Sequence, residues 1–122
     1  MDLQTGDKEA AAVATAPRVS LADIEGEIAE RYDLRADRAL GHLEDERELF
    51  NSASTPPHPL RLLSICILVL RNGFTIIGKS APASAQNFNA ELGKKLAYED
   101  AIRQIWPLMG FALRERLSKD SP

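Results

Sequence analysis

The spacing of hydrophobic and polar positions changes character along this chain, and its most strand-like stretch runs from Leu62 to Ser80, LLSICILVLRNGFTIIGKS. Two runs rich in β-branched residues flank Asn72-Gly73, the dipeptide best suited to a two-residue type I′ hairpin turn, where both central residues need positive φ. That turn pairs Arg71 with Phe74, Val69 with Ile76, Ile67 with Gly78 and Ile65 with Ser80. One face of the ribbon then carries Ile65, Ile67, Val69, Phe74 and Ile76, and the other Cys66, Leu68, Leu70, Thr75, Ile77 and Lys79. Strands alternate sides, so a half-buried hairpin should show one polar face, yet both faces here are largely apolar. A C-terminal helix can cover one; the N-terminal helices or a second subunit must cover the other. A two-stranded ribbon also leaves two open edges, which edge-to-edge pairing about a two-fold axis would partly satisfy as a four-stranded sheet. The expectation is a homo-oligomer, with a dimer favoured.

Helical spacing appears on both sides of the hairpin. Residues 1–19 show no period and read as a disordered leader. Ser20 with Asp23 forms an N-cap signature, and Leu21, Ile24, Ile28 and Tyr32 share a helical face, predicting a helix over 21–32. Ala36, Leu40, Leu43, Arg47 and Phe50 keep a helical spacing within 33–50, so residues 20–50 read as a helical N-terminal segment. A proline-rich linker, 51–59, leads to a hairpin-helix core over 60–118. Ser84, Asn87 and Asn89 are candidate caps for a long helix striped by Phe88, Leu92, Leu96, Ile102, Ile105, Met109, Leu113 and Leu117. Pro107 either kinks that helix near Trp106 or starts a new one. The predicted fold is α+β: N-terminal helix or helices, one hairpin (about 62–71 and 74–80) and a long C-terminal helix kinked or broken near Pro107, in a single domain.

Length and composition restrict the picture. The 122 residues make one domain, and 44% hydrophobic content suits a soluble globular protein. The single cysteine, Cys66, cannot make an internal disulfide. The first residues lack the pattern of a secretory signal, and the longest apolar run, Ile65 to Leu70, is far too short to span a bilayer. The expected location is cytoplasmic, with no membrane partner. Charge is uneven: residues 1–59 hold 6 Lys/Arg against 13 Asp/Glu, and residues 60–122 hold 9 against 5. The two halves can face each other, within a chain or across subunits. The basic residues are scattered, and no helix-turn-helix, zinc or ribonucleoprotein pattern accompanies them, so nucleic acid is not the expected partner.

Candidate chemistry is sparse. Nucleophilic catalysis needs Ser, Cys or Thr beside a base, and the two histidines, His42 and His58, lie in the weakly organised half. Glu44, Asp45, Glu46 and Glu48 beside His42 read as the wet face of a helix rather than as metal ligands. Gly73 to Ser80, GFTIIGKS, fits the spacing of a phosphate-binding P-loop, but its interior is strand text and no helix opens at Lys79-Ser80. Neither an enzyme, a cofactor nor a metal is expected. A small-anion or nucleotide site remains as the alternative, at Lys79, Ser80, Asn87, Asn89 and Arg103, where the hairpin end meets the helix N-terminus.

Three blocks together, LSICILVLRNGFTIIGKSA, NFNAELGKKLA and IWPLMGFALRERL, resemble the small family typified by gene 49 of phage N4 and gene 66 of phage Sf6. The resemblance covers about residues 60–117 and more loosely the stretch ending in Glu30-Arg31-Tyr32. It implies a phage or prophage origin and action in the bacterial cytoplasm, and it supplies no functional residues. The leading expectation is an accessory protein working as an oligomeric interaction module on a host component.

Overall fold

The computed structural model describes residues 2–40 and 58–120. In chain order the elements are α1 (Leu3–Val13), α2 (Leu21–Gly26), β1 (Ile28–Arg35), α3 (Ala36–Ala39), a 3-10 turn (Pro59–Leu62), β2 (Ser64–Leu70), β3 (Thr75–Ser80), a second 3-10 turn (Ala85–Asn87) and α4 (Ala90–Asp120). The strands form one antiparallel sheet in the order β1-β2-β3. The fold is α+β, with a third strand added to the expected hairpin.

That strand corrects the predicted helix over 21–32. The capping box forms as read, Ser20 and Asp23 each accepting the other's backbone N–H, but the helix stops at Gly26. Ile28 and Tyr32, four apart, satisfy a helical period and an alternating one equally. The free edge of β2 decides between them, because a ladder against it satisfies backbone groups that a two-stranded ribbon leaves open. The predicted helix within 33–50 is likewise replaced as far as Ala39, by the end of β1 and the single turn α3. The rest of that helix, with His42 and its acidic neighbours, and nearly all of the 51–59 linker fall outside the described residues.

The leader is ordered as α1, where an unstructured segment was expected. Asp2 caps it, accepting the Thr5 N–H at 2.7 Å. Asp7 anchors it to the next element: its carboxylate accepts the Leu21 N–H and an Arg18 guanidinium N–H, each at 3.0 Å. Those two bonds, the backbone one first, hold the Asp7 carboxyl below its ordinary pKa. Their contribution is therefore present above the ordinary carboxylate range and is lost as pH falls through the lowered value.

The hairpin closes by a different turn from the one predicted. Leu70 N–H donates to the Phe74 carbonyl at 2.8 Å, and Gly73 N–H donates to the Leu70 carbonyl at 2.9 Å. The loop thus holds three residues, Arg71, Asn72 and Gly73, and only Gly73 has positive φ, at +88°. Asn72 instead accepts the Phe74 N–H through its side chain at 2.9 Å, a local bond that spares it the left-handed conformation. The register shifts by one: Val69 pairs with Thr75, Leu68 with Ile76, Ile67 with Ile77, Cys66 with Gly78, Ile65 with Lys79 and Ser64 with Ser80. Gly73→Ala is expected to cost about 1 kcal/mol, since a Cβ disfavours this φ. A lowered urea midpoint with unchanged slope would report it.

The shifted register explains the core. Cys66, Leu68, Leu70 and Ile76 now share one buried face with Gly78. Against it α4 lays Ala97, Ala101, Ile102 and Ile105, all fully buried, and Ile24 of α2 closes the end. The predicted stripe is corrected here, because Leu92 and Leu96 are 49% and 40% exposed. The reason is closeness: a Cβ on Gly78 would lie 2.1 Å from the Ala97 carbonyl oxygen, so only small side chains fit between helix and strand. Asn89 caps α4 by accepting the Leu92 N–H at 3.0 Å. The helix then runs unbroken through Pro107. Pro107 cannot bond the Arg103 carbonyl, but both residues are exposed, where water can. Trp106 donates its indole N–H to the Val19 carbonyl at 3.2 Å, tying α4 to the chain entering α2.

Candidate functional site

The side of the sheet away from α4 bears three cross-strand rows. Register places Glu30, Val69 and Thr75 in the first, Tyr32, Ile67 and Ile77 in the second, and Leu34, Ile65 and Lys79 in the third. Alternation along β2 settles which side this is, since Ser64, Cys66, Leu68 and Leu70 are buried and the residues between them are only half-buried. Tyr32 is 50% and Ile77 59% exposed. Nothing among the described residues covers this face. Tyr32 donates its hydroxyl to a Glu30 carboxylate oxygen at 2.6 Å, which keeps both side chains on this side and pushes the phenol pKa up. The middle row is uncharged, with Ile67 and Ile77 beside the Tyr32 ring, and the two charges sit at opposite corners.

The sheet's edges differ from its face. On β3 the Lys79 N–H donates to Asp100 Oδ2 at 3.0 Å, and the Ile77 carbonyl accepts the Gln104 amide at 2.7 Å. Two side chains of α4 thus occupy outward backbone groups that another strand would need. On β1 the opposite edge carries Glu30, Arg31, Asp33 and Arg35, charges of the kind that discourage strand addition. Arg31 pairs with Asp33 at 3.0 Å and lies 3.9 Å over the Tyr98 ring. The edge-to-edge four-stranded sheet expected from sequence therefore loses its basis: β1 occupies one edge of the hairpin and α4 blunts the other.

Other groups with chemical potential are engaged structurally. Cys66 is fully buried, and burial first, then the Asp33 carboxylate beside it, raise its pKa from 9.0 to about 11. The thiol stays protonated at neutral pH and is no nucleophile. A thiol-specific disulfide reagent at pH 8 is expected to label Cys66 only as the protein unfolds. Because the folded pKa is raised, the associated stability is complete below the unfolded value and is lost as pH climbs through about 11. Asp37 is buried and chelated by the Arg35 guanidinium, with Arg61 at 4.0 Å, which fastens α3 to the 3-10 turn. His58, given no role by its sequence position, caps that turn by accepting the Leu60 N–H on Nδ1 at 3.2 Å. Among the described residues no group of His, Cys, Asp and Glu could hold a metal, and no helix is long and apolar enough to cross a membrane.

The five residues of the alternative anion site are placed as follows. Lys79 and Ser80 end β3, Asn87 ends a 3-10 turn, Asn89 caps α4, and Arg103 is exposed on α4. None lines the clefts beside α1, beside the hairpin turn or at the start of α4. One of these clefts, about 610 Å³, runs between α2, the hairpin turn and the second half of α4, past Val19, Phe74, Leu108 and Met109. GFTIIGKS enters β3 after its turn, so its backbone cannot cradle a phosphate as a P-loop does. Sequence reading missed Tyr32 and Leu34, which it assigned to helices; the alternation in IAERYDLR was the available signal.

The sequence profile of the phage protein (N4 Gp49/phage Sf6 gene 66) family matches residues 19–117. The chain belongs to this family. The match takes in every strand of the sheet, α2, and α4 as far as Leu117, while α1 precedes it. No curated protein and no solved structure matches the chain.

Proposed function

We propose that this member of the N4 Gp49/Sf6 gene 66 family is a non-enzymatic, oligomeric interaction module that acts on a host component in the bacterial cytoplasm. The observation that carries the reading is the open sheet face centred on Tyr32, Ile67 and Ile77. Apolar rows of this kind on a sheet ordinarily gain a cover, from the same chain or another. Membership of a phage family makes host proteins the natural targets. The protonated, buried Cys66 and the structural duties of Asp37 and His58 leave the described residues without an assembled nucleophile and base.

Native mass spectrometry of the protein purified gently from its host tests this. A homo-oligomer free of bound small molecules is expected, which the Ile67→Lys variant fails to form, together with a defined complex of that oligomer on adding host extract. A monomer at every concentration would overturn the reading. A retained mass of a few hundred daltons would instead favour the anion site at Lys79, Ser80, Asn87, Asn89 and Arg103.

A further inference from the structure

The open face has a second property besides being apolar: its charges are arranged for self-recognition. Taking Ile67 as centre, Glu30 and Lys79 stand diagonally across it, one on each outer strand and one row to either side. We propose that a second copy of this chain docks face to face on this surface about a two-fold axis through Ile67, with Glu30 of each subunit meeting the partner's Lys79. This rests on the oligomeric reading above and specifies its geometry.

The symmetry follows from the registers. A two-fold axis lying in the interface carries each residue to its mirror position across that axis. Glu30 therefore lands on Lys79 only when the axis runs perpendicular to the diagonal joining them. Strands about 4.8 Å apart and rows about 6.8 Å apart put that axis about 55° from the strands, so the two sheets cross at about 70°. This lies near the orthogonal class of sheet packing. The aligned class would set Glu30 over Thr75 or Leu34, leaving the carboxylate without a cation. In the near-orthogonal arrangement Ile67 meets its own copy, Tyr32 packs toward Ile65, and Ile77 toward Val69. An isologous interface repeats each contact, so one complementary diagonal supplies two ion pairs. Sheets pack about 10 Å apart, a gap that a glutamate and a lysine reaching toward each other can bridge.

Two observations favour a second copy over an added strand or a charged ligand. Asp100 and Gln104 occupy the outward groups of β3, and charges line β1, so association by edges is disfavoured, while among the described residues Tyr32 and Ile77 stay exposed on the face. The face also carries one acid and one base, which suits a surface complementary to itself. Its extent, about 14 Å by 20 Å, is a projected area of roughly 280 Å² per subunit, less than a stable interface buries, so the dimer should be weak and dissociate at roughly 100 µM.

The test is sedimentation of the full chain in low salt, from roughly 1 to 300 µM so as to bracket that constant. Glu30→Lys and Lys79→Glu each create two like-charge contacts per dimer and should weaken it about tenfold. The double variant, and an equimolar mixture of the two single variants, should both recover wild-type association, the mixture as a heterodimer. Ile67→Lys on the axis should abolish the dimer. Both charge positions are exposed, so those variants keep the test valid even if Ile67→Lys fails to fold. A wild type that dimerises with constants indifferent to both reversals would overturn the face-to-face pairing while leaving the oligomeric module standing. A wild type that never associates would overturn both.

Discussion

Gly78→Ala is expected to lower the unfolding free energy by about 3–4 kcal/mol, a large share of the roughly 5–15 kcal/mol that holds a domain of this size. The added Cβ would lie 2.1 Å from the Ala97 carbonyl oxygen, 2.6 Å from the Ala101 nitrogen and 2.8 Å from the Ala101 Cβ. Two of these three atoms are helix backbone, which cannot rotate away, so α4 would have to lift off β3. Lifting it loosens Ile102 and Ile105 as well, both fully buried. Other glycines calibrate the effect. Gly93→Ala meets first the Ser64 hydroxyl, at 2.4 Å, a group that can turn, and should cost about 1 kcal/mol. Gly110, inside the same helix, has open space at its Cβ position, so Gly110→Ala should stabilise by about 0.5–1 kcal/mol through helix propensity. Urea unfolding of the three variants checks the order, and a mild Gly78→Ala would mean that the helix does not lie against the strand as described.

Leu68→Ala should cost about 3 kcal/mol, by lost transfer free energy and the cavity left behind. Leu68 is fully buried at the centre of the middle strand, between the β1 and β3 pairings and beneath α4. Ile77→Ala, one row away on the opposite face, should change the monomer's stability by less than about 1 kcal/mol, because its side chain is already 59% exposed. The contrast separates folding from association. Leu68→Ala should lower the unfolding midpoint at any protein concentration, whereas Ile77→Ala should act mainly through dimerisation and lose its effect on dilution. If both variants unfolded alike in dilute solution, the assignment of the two faces would be wrong.

Local patterns determined a good part of this molecule. The period-2 runs about Asn72-Gly73 specified a hairpin, Ser20 with Asp23 specified a helix start, and the long apolar stripe specified a C-terminal helix with Asn89 among its caps. The family resemblance rested on blocks within the hairpin and α4, and the profile match extends it over residues 19–117. Of the candidate site, Ile65, Ile67, Val69 and Ile77 were recognisable as strand residues in need of a cover.

Tertiary structure decided the rest, wherever local signals were degenerate. Ile28 and Tyr32 fit a helix or a strand, and only the unpaired edge of β2 made them a strand. The turn could close on two residues or three, and a one-residue difference moves every side chain of β3 to the other face. The three-residue closure puts Ile76 and Gly78 beneath α4 and leaves Ile77 outside. Which face of α4 turns inward was likewise beyond the hydrophobic stripe. Close approach at Gly78 selects Ala97 and Ala101 over the larger Leu92 and Leu96, a steric choice that exists only once helix and strand are brought together.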